Sequence, residues 1–399
     1  MAMSTPTLRL DDLPPAFASK LLYSLFSHFL GEGIEYDEVT NTVKCTDCNK
    51  FMNELKNYVG SQGFNNVMSR YFQLIDGMSA GKCLGTRIGK VQDLVKGILN
   101  NMRPRDVFAE LSAVNIQAGS TYVKITWGTG NFIGFNLTPP IMASVDYMEA
   151  LKRFMPELLT VKRDRVRDLS KDVVSGSYKA VEVSCLVYAL VAIGYSLSVI
   201  TRFEDTYAFI IPLTFDRELI ERMRAGNVRE RLEKGLARVN INTVEDHLIN
   251  LLLVSAIRSR SGAVELALLE RGGGRNLMTK AEFVIDLSMY RPLVEALMAY
   301  DTGNSFTELV AAVIRDEQSS EPDKRDVAGK FSDVLRKLLF IASNVGNAET
   351  HAYEALRVLD SINPSDLDRI SGGGTYRWGL TKLPEIIMDT LELSKAMFS

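Results

Sequence analysis

The sequence predicts an α+β fold: a mixed N-terminal and central body of helices and β-hairpins, followed by a helical C-terminal domain. Three observations carry this expectation. The uncharged run from Val183 to Thr201 leads through Arg202-Phe203-Glu204-Asp205 into Thr206 to Pro212, an apolar helix followed by a β-branched and aromatic hairpin. Thr121 to Leu137 places strand formers on both sides of Gly128-Thr129-Gly130, which predicts a second hairpin. Beyond Phe215 strand signals become scarce, and apolar residues recur at helical spacing.

In chain order, Phe17, Leu21, Leu22, Leu25, Phe26 and Phe29 mark one amphipathic helix that Gly31 and Gly33 stop. A short hairpin over Ile34 to Lys44 follows, then helices near 51–59, 64–75 and 88–101. After the hairpin at 121–137, Pro139-Pro140 closes the first region, and a helix is expected over Tyr147 to Leu158. The apolar helix covers Val181 to Ile193, with Gly194 at its C-terminal end, and the hairpin covers Leu197 to Pro212. Helices are expected at 216–235, 244–258, 263–270, 291–300, 305–315, 325–343, 349–361 and 382–397, with Pro292 at a first helical position and Gln318 to Asp326 as a linker. These breaks divide the chain into regions 1–140, 141–275 and 276–399.

The 399 residues, 46% of them hydrophobic, are enough for a sizeable core. The run at Val183 is long enough to span a bilayer, but Ser184, Ser196, Ser198 and Gly194 interrupt it and a hairpin follows, so no membrane span is expected. Met1 to Pro15 lacks the basic flank and apolar core of a signal peptide, and four cysteines in so long a chain fit a reducing, cytoplasmic setting. A net charge of -3 argues against a simple polyanion-coating protein. Its distribution is uneven: residues 152–275 hold 20 Lys+Arg against 16 Asp+Glu, whereas 276–399 hold 13 against 19.

Arginine dominates the basic part, and its planar fork suits phosphate oxygens. Arg258, Arg260, Arg271 and Arg275 are the first candidates for nucleic-acid contact, with Arg163, Arg165 and Arg167 second. Over 217–238, Glu218, Glu221, Glu230 and Glu233 interleave with the arginines, which equally describes a solvated helix face. The loops Arg271-Gly272-Gly273-Gly274-Arg275 and Gly372-Gly373-Gly374-Thr375-Tyr376-Arg377-Trp378 set glycine backbone beside arginine, and the second adds rings on which a base could stack. Interhelical linkers would use the same residues.

Cys45-Thr46-Asp47-Cys48 has the spacing with which two thiolates grip zinc; Cys83 and His28 could complete a structural site only if folding gathers them. Buried thiols or a redox dithiol are the other readings of that pair. Gly77-Met78-Ser79-Ala80-Gly81 matches the nucleophile elbow of a serine hydrolase, the alternative function, although the preceding chain lacks the parallel strands that such an elbow needs. Gly81-Lys82 is one residue short of a phosphate loop, and Cys83 stands where Ser or Thr would bind magnesium.

The cysteine-bearing N-terminal region, the helix at 181–193 with its hairpin at 197–212, the arginine-rich middle and the helical C-terminal domain together resemble the large subunit of archaeal type I-A CRISPR interference complexes. The resemblance is one of layout across most of the chain. It implies a non-catalytic subunit of a ribonucleoprotein in antiviral defence that binds guide RNA, helps recognise target DNA and contacts other protein subunits. Some related subunits carry paired CxxC zinc motifs; this chain has one pair, Cys45 and Cys48, plus Cys83.

Overall fold

The computed structural model describes the chain apart from residues 1–4, 15, 72–90, 105, 119–122, 131, 134–180, 204–205, 225–226, 237–243, 272–276, 302, 371 and 399. The fold is α+β, with three small sheets and a helical C-terminal region. The chain divides into two units: residues 1–199 with 269–280, and residues 200–268 with 281–399.

In the first unit, β1 (Thr7–Arg9), β2 (Ile34–Asp37) and β3 (Thr42–Cys45) form an antiparallel sheet in the order β1-β3-β2. Helices α1 (Phe17–His28), α2 (Cys48–Gly60), α3 (Gln62–Tyr71) and α4 (Val91–Asn100) follow the apolar spacing expected of them, and α5 (Asp106–Ser112) is a further helix that the sequence reading did not include. Their centre is α6 (Cys185–Ser198), apolar on every face and buried over most of its length. Such a helix needs partners all round, and it packs against α1, α3, α4 and α5.

Two expectations for this unit are corrected. Gly194 does not end α6, which runs on to Ser198; a Cβ at Gly194 would lie 2.1 Å from the Leu21 carbonyl oxygen. Glycine is there because α1 and α6 touch backbone to backbone. The strands expected to pair across Gly128-Thr129-Gly130 are separate, because β7 (Val181–Ser184) lies between β5 (Val123–Trp127) and β6 (Phe132–Ile133), with β4 (Val114–Ala118) on the far side of β5. Val181 to Ser184, read from sequence as the helix start, pairs parallel with β5 and antiparallel with β6. Glu110 fixes the turn by accepting hydrogen bonds from the Thr129 N–H at 2.7 Å and hydroxyl at 2.5 Å.

The second unit contains most of a sheet in the order β11-β10-β9-β8, from β8 (Val199–Phe203), β9 (Thr206–Pro212), β10 (Ala263–Arg271) and β11 (Leu277–Asp286); Val199, residues 269–271 of β10 and residues 277–280 of β11 belong to the first unit. The β8–β9 pair is the hairpin read at 197–212. The pair β10–β11 corrects the expected helix at 263–270: Ala263-Val-Glu-Leu-Ala-Leu-Leu-Glu consists largely of helix formers, yet a buried central strand accepts them once packing outweighs propensity. Helices α7 (Arg217–Arg224), α8 (Asn227–Leu236) and α9 (Asp246–Ile257) lie between the two hairpins in sequence.

The C-terminal part is helical: α10 (Arg291–Tyr300), α11 (Ser305–Glu317), α12 (Pro322–Ala342), α13 (Ala348–Asp360), α14 (Pro364–Leu367) and α15 (Gly373–Phe398). Pro292 starts α10 as expected, and Pro322 starts α12, which shortens the expected linker to 318–321. One apolar core runs from Ile200 through α9, α11, α12 and α15 to Leu391. No helix among the described residues is long and apolar enough to cross a membrane.

Candidate nucleic-acid interface

The basic residues read from sequence fall into three structural situations. Arg271 is the last residue of β10, and Arg275 lies in the five-residue connection to β11, outside the described residues. Adjacent strands joined by so short a link form a hairpin arm, since a parallel pair would need a far longer crossover. In β11, the edge strand, Lys280, Glu282, Val284 and Asp286 are exposed while Ile285 is buried, so one face of the arm meets solvent. Lys280 is paired with Glu270 at 3.2 Å. Arg163, Arg165 and Arg167 lie outside the described residues.

Arg258 is in the opposite situation and is corrected as a contact candidate. It ends α9 in the left-handed conformation, φ 54°, and its side chain is only 10% exposed. Its guanidinium donates to Ser255 O at 3.0 Å, Asp301 O at 2.6 Å, Asp301 Oδ2 at 2.5 Å and Gly303 O at 3.2 Å. Asp301 in turn accepts the N–H groups of Ser305 and Phe306, the first residues of α11. This buried pair ties the end of α9 to the start of α11, leaving no fork for a phosphate. Arg260 is half exposed and donates to Glu218 at 3.0 Å, so a phosphate there would have to displace a carboxylate.

The arginines of 217–238 include the helix-surface pairs that the interleaved glutamates suggested: Arg217 with Glu221, Arg222 with Glu218, and Lys234 with Glu230 beside them. The second triple-glycine stretch is not an open stacking loop. Gly373 already belongs to α15 and presses on the Leu367 carbonyl, where a Cβ would sit 1.9 Å away. Tyr376 is fully buried and donates to Asp316 at 2.9 Å; burial, and next the Asp316 charge, push its phenol well above the ordinary value. Arg377 is paired with Asp368, and Trp378 packs against the core.

The zinc assignment is also corrected for the described cysteines. Cys45 and Cys48 are bonded to each other as a disulfide at the entrance of α2, so neither presents a thiolate to a metal; Cys185 is disulfide-bonded as well, where free thiols were expected. Nδ1 of His28, the other expected ligand, lies 2.8 Å from the Ser24 carbonyl. Among the described residues no group of three metal-ligating side chains comes together. Cys83 and the Ser79 turn lie outside the described residues.

The structure adds one site that spacing alone did not reveal. Between α8 and the start of α11 lies a recess of about 120 Å³, lined by Glu230, Arg231, Lys234, Asn304, Thr307 and Glu308. Arg231 stands among the basic residues of 217–238, but Asn304 and Thr307 come 73 and 76 residues further on, and no sequence pattern links them. No family model, no curated protein and no solved structure matches the chain.

Proposed function

We propose that this chain is a non-catalytic nucleic-acid-binding subunit of a ribonucleoprotein, of the kind seen in archaeal type I-A CRISPR large subunits, which bind guide RNA and help recognise target DNA. The observation that supports this reading is the β10–β11 arm, two strands of nine and ten residues joined by glycines between Arg271 and Arg275. A strand of ten residues extends about 33 Å at ~3.3 Å per residue, and β11, the edge of the sheet with Lys280, Glu282 and Val284 exposed, offers a face that suits a nucleic-acid strand laid along it. Glycine lets backbone N–H groups approach a phosphate, and the guanidinium groups of Arg271 and Arg275, which flank the three glycines in sequence, supply the charge. The acidic stretch 276–399 keeps separate surface available for protein partners.

Fluorescence anisotropy with labelled single-stranded RNA and duplex DNA, measured between about 50 and 200 mM salt, tests this reading. Affinity for at least one of them falls steeply with salt, and the Arg271→Ala/Arg275→Ala double variant loses about two from the log–log slope on duplex DNA, near one per phosphate contact. Unchanged affinity and slope in the double variant overturn the assignment.

A further inference from the structure

Glycine inside a helix needs a reason, because it is about fivefold less favourable there than alanine. Gly194, Gly235 and Gly379 have one: a Cβ on them would lie 2.7 Å or less from Leu21, Leu252 and Phe331. Gly329 has none within the chain. It is the eighth of the 21 residues of α12, it is exposed, and a Cβ on it would meet nothing within 4 Å. The helix backbone is bare at a point that only a group from outside this chain can approach.

The charges beside Gly329 indicate which group. Four residues make just over one helical turn, so Arg325, Gly329 and Asp333 share one face of α12, and all three line an open recess beside Val358 of α13. Arg325 is exposed and forms no ion pair among the described residues, whereas Lys330 is paired with Asp326 at 2.9 Å. Asp333 is partly exposed and accepts from Arg336 at 2.7 Å on one oxygen and from Lys337 at 2.5 Å on the other, while Glu354 balances Lys337. An ionised carboxylate has about four lone-pair positions, so Asp333 can accept a further guanidinium.

This face is its own complement. A cation stands four residues before Gly329 and an anion four residues after it. In a second copy laid antiparallel with Gly329 on the two-fold axis, Arg325 of each copy faces Asp333 of the other, ~6 Å along the helix from the crossing. A partner of unrelated sequence would not need this symmetry. We propose that α12 is a self-association surface, through which two copies of this chain pair antiparallel across Gly329 with reciprocal Arg325–Asp333 ion pairs. A contact of one helix per copy is small, so the dimer is weak and responds to concentration and salt. No residue of the β10–β11 arm takes part, so its failure leaves the nucleic-acid reading untouched.

Sedimentation equilibrium of the nuclease-treated full chain, over about a hundredfold range of concentration reaching several hundred micromolar, tests the proposal. A reversible monomer–dimer equilibrium that salt weakens is expected. Gly329→Leu covers the bare backbone without touching a charge; it melts no lower than wild type, because the space is open and leucine favours helix, and it weakens the dimer about tenfold or more. Arg325→Glu and Asp333→Lys each set like charges against one another at both junctions, so neither variant self-associates. Mixed in equal amounts they recover the dimer, since both junctions of the mixed pair join opposite charges. A chain that stays monomeric over the whole range, a Gly329→Leu variant that dimerises like wild type, or folded charge variants that stay monomeric when mixed overturns the proposal.

Discussion

Two helices of almost the same character, α6 in the first unit and α9 in the second, are secured in different ways. Both are apolar around their whole circumference and buried. Helix α6 is held by close approach: Gly194 rests on the Leu21 backbone, the Tyr195 hydroxyl donates to Tyr71 O at 3.0 Å, and Ser196 meets the Tyr58 hydroxyl at 3.0 Å. Helix α9 is held at its ends by polar contacts, with the charged pair of Arg258 and Asp301 at one end and His247 beside Glu245 at the other. A contact made by shape tolerates no added atom. A contact made by charge tolerates no lost partner.

The largest effect is expected where the charge is deepest. Asp301→Ala strands the Arg258 guanidinium and removes the acceptor for the first two N–H groups of α11, which costs about 3–5 kcal/mol. Denaturant unfolding of the second unit measures it. Because much of that loss is the unpaired charge, Arg258→Met/Asp301→Ala loses less than the sum of its single variants. A loss below about 1 kcal/mol for Asp301→Ala would show that shape, not charge, secures α9 as well.

The shape-based contact comes next. Gly194→Ala gains about 1 kcal/mol of helix propensity but puts a methyl 2.1 Å from Leu21 O and 2.7 Å from its carbonyl carbon. The obstacle is backbone, so no rotamer change relieves it, and the helices must separate. Overpacking of this kind costs about 1–3 kcal/mol or more, for a net loss near 2 kcal/mol in the unit built around α6. In a Trp378→Phe background the fluorescence transition of buried Trp127 reports that unit, and it moves to lower denaturant. Stabilisation by Gly194→Ala would remove close approach as the explanation.

The same contrast explains how much of the molecule was legible from sequence. The α6 core, the hairpin at 197–212 and nearly all the C-terminal helices follow from local composition and spacing, which pack much as they read. What was not legible depends on partners distant in sequence. Arg258 reads as a surface cation until Asp301, 43 residues on, folds against it. Gly194 reads as a stop until Leu21 is brought to it, and the hairpin at 121–137 reads as closed until β7 enters it. For the candidate sites, Arg271 was visible as a basic position, whereas the recess needs Arg231, Asn304 and Thr307 together.

The smallest effect concerns the histidine at the entrance of α9. His247 is mostly buried, its Nε2 is 3.3 Å from the Ser332 hydroxyl, and its Nδ1 is 3.1 Å from Glu245 Oε2. Burial lowers its imidazole below the ordinary 6.5; Glu245 and Asp246 oppose that shift, and Arg336 adds to it. With the folded value below the unfolded one, the unfolded chain takes up the proton first on acidification, so His247 stabilises the fold above pH 6.5 and that contribution fades as pH falls below it. Glu317, which shares Ser332, has its carboxyl raised by burial and favours the opposite slope above its unfolded value of 4.5. It is present in both proteins when wild type is compared with His247→Gln, so the difference between the two isolates the imidazole. Unfolding free energies measured from pH 7.5 to pH 5.5 should fall more steeply for wild type than for His247→Gln, with the gap opening below pH 6.5. Parallel curves would mean that this histidine titrates alike folded and unfolded, and that burial of its neutral ring sets no pH dependence at this end of α9.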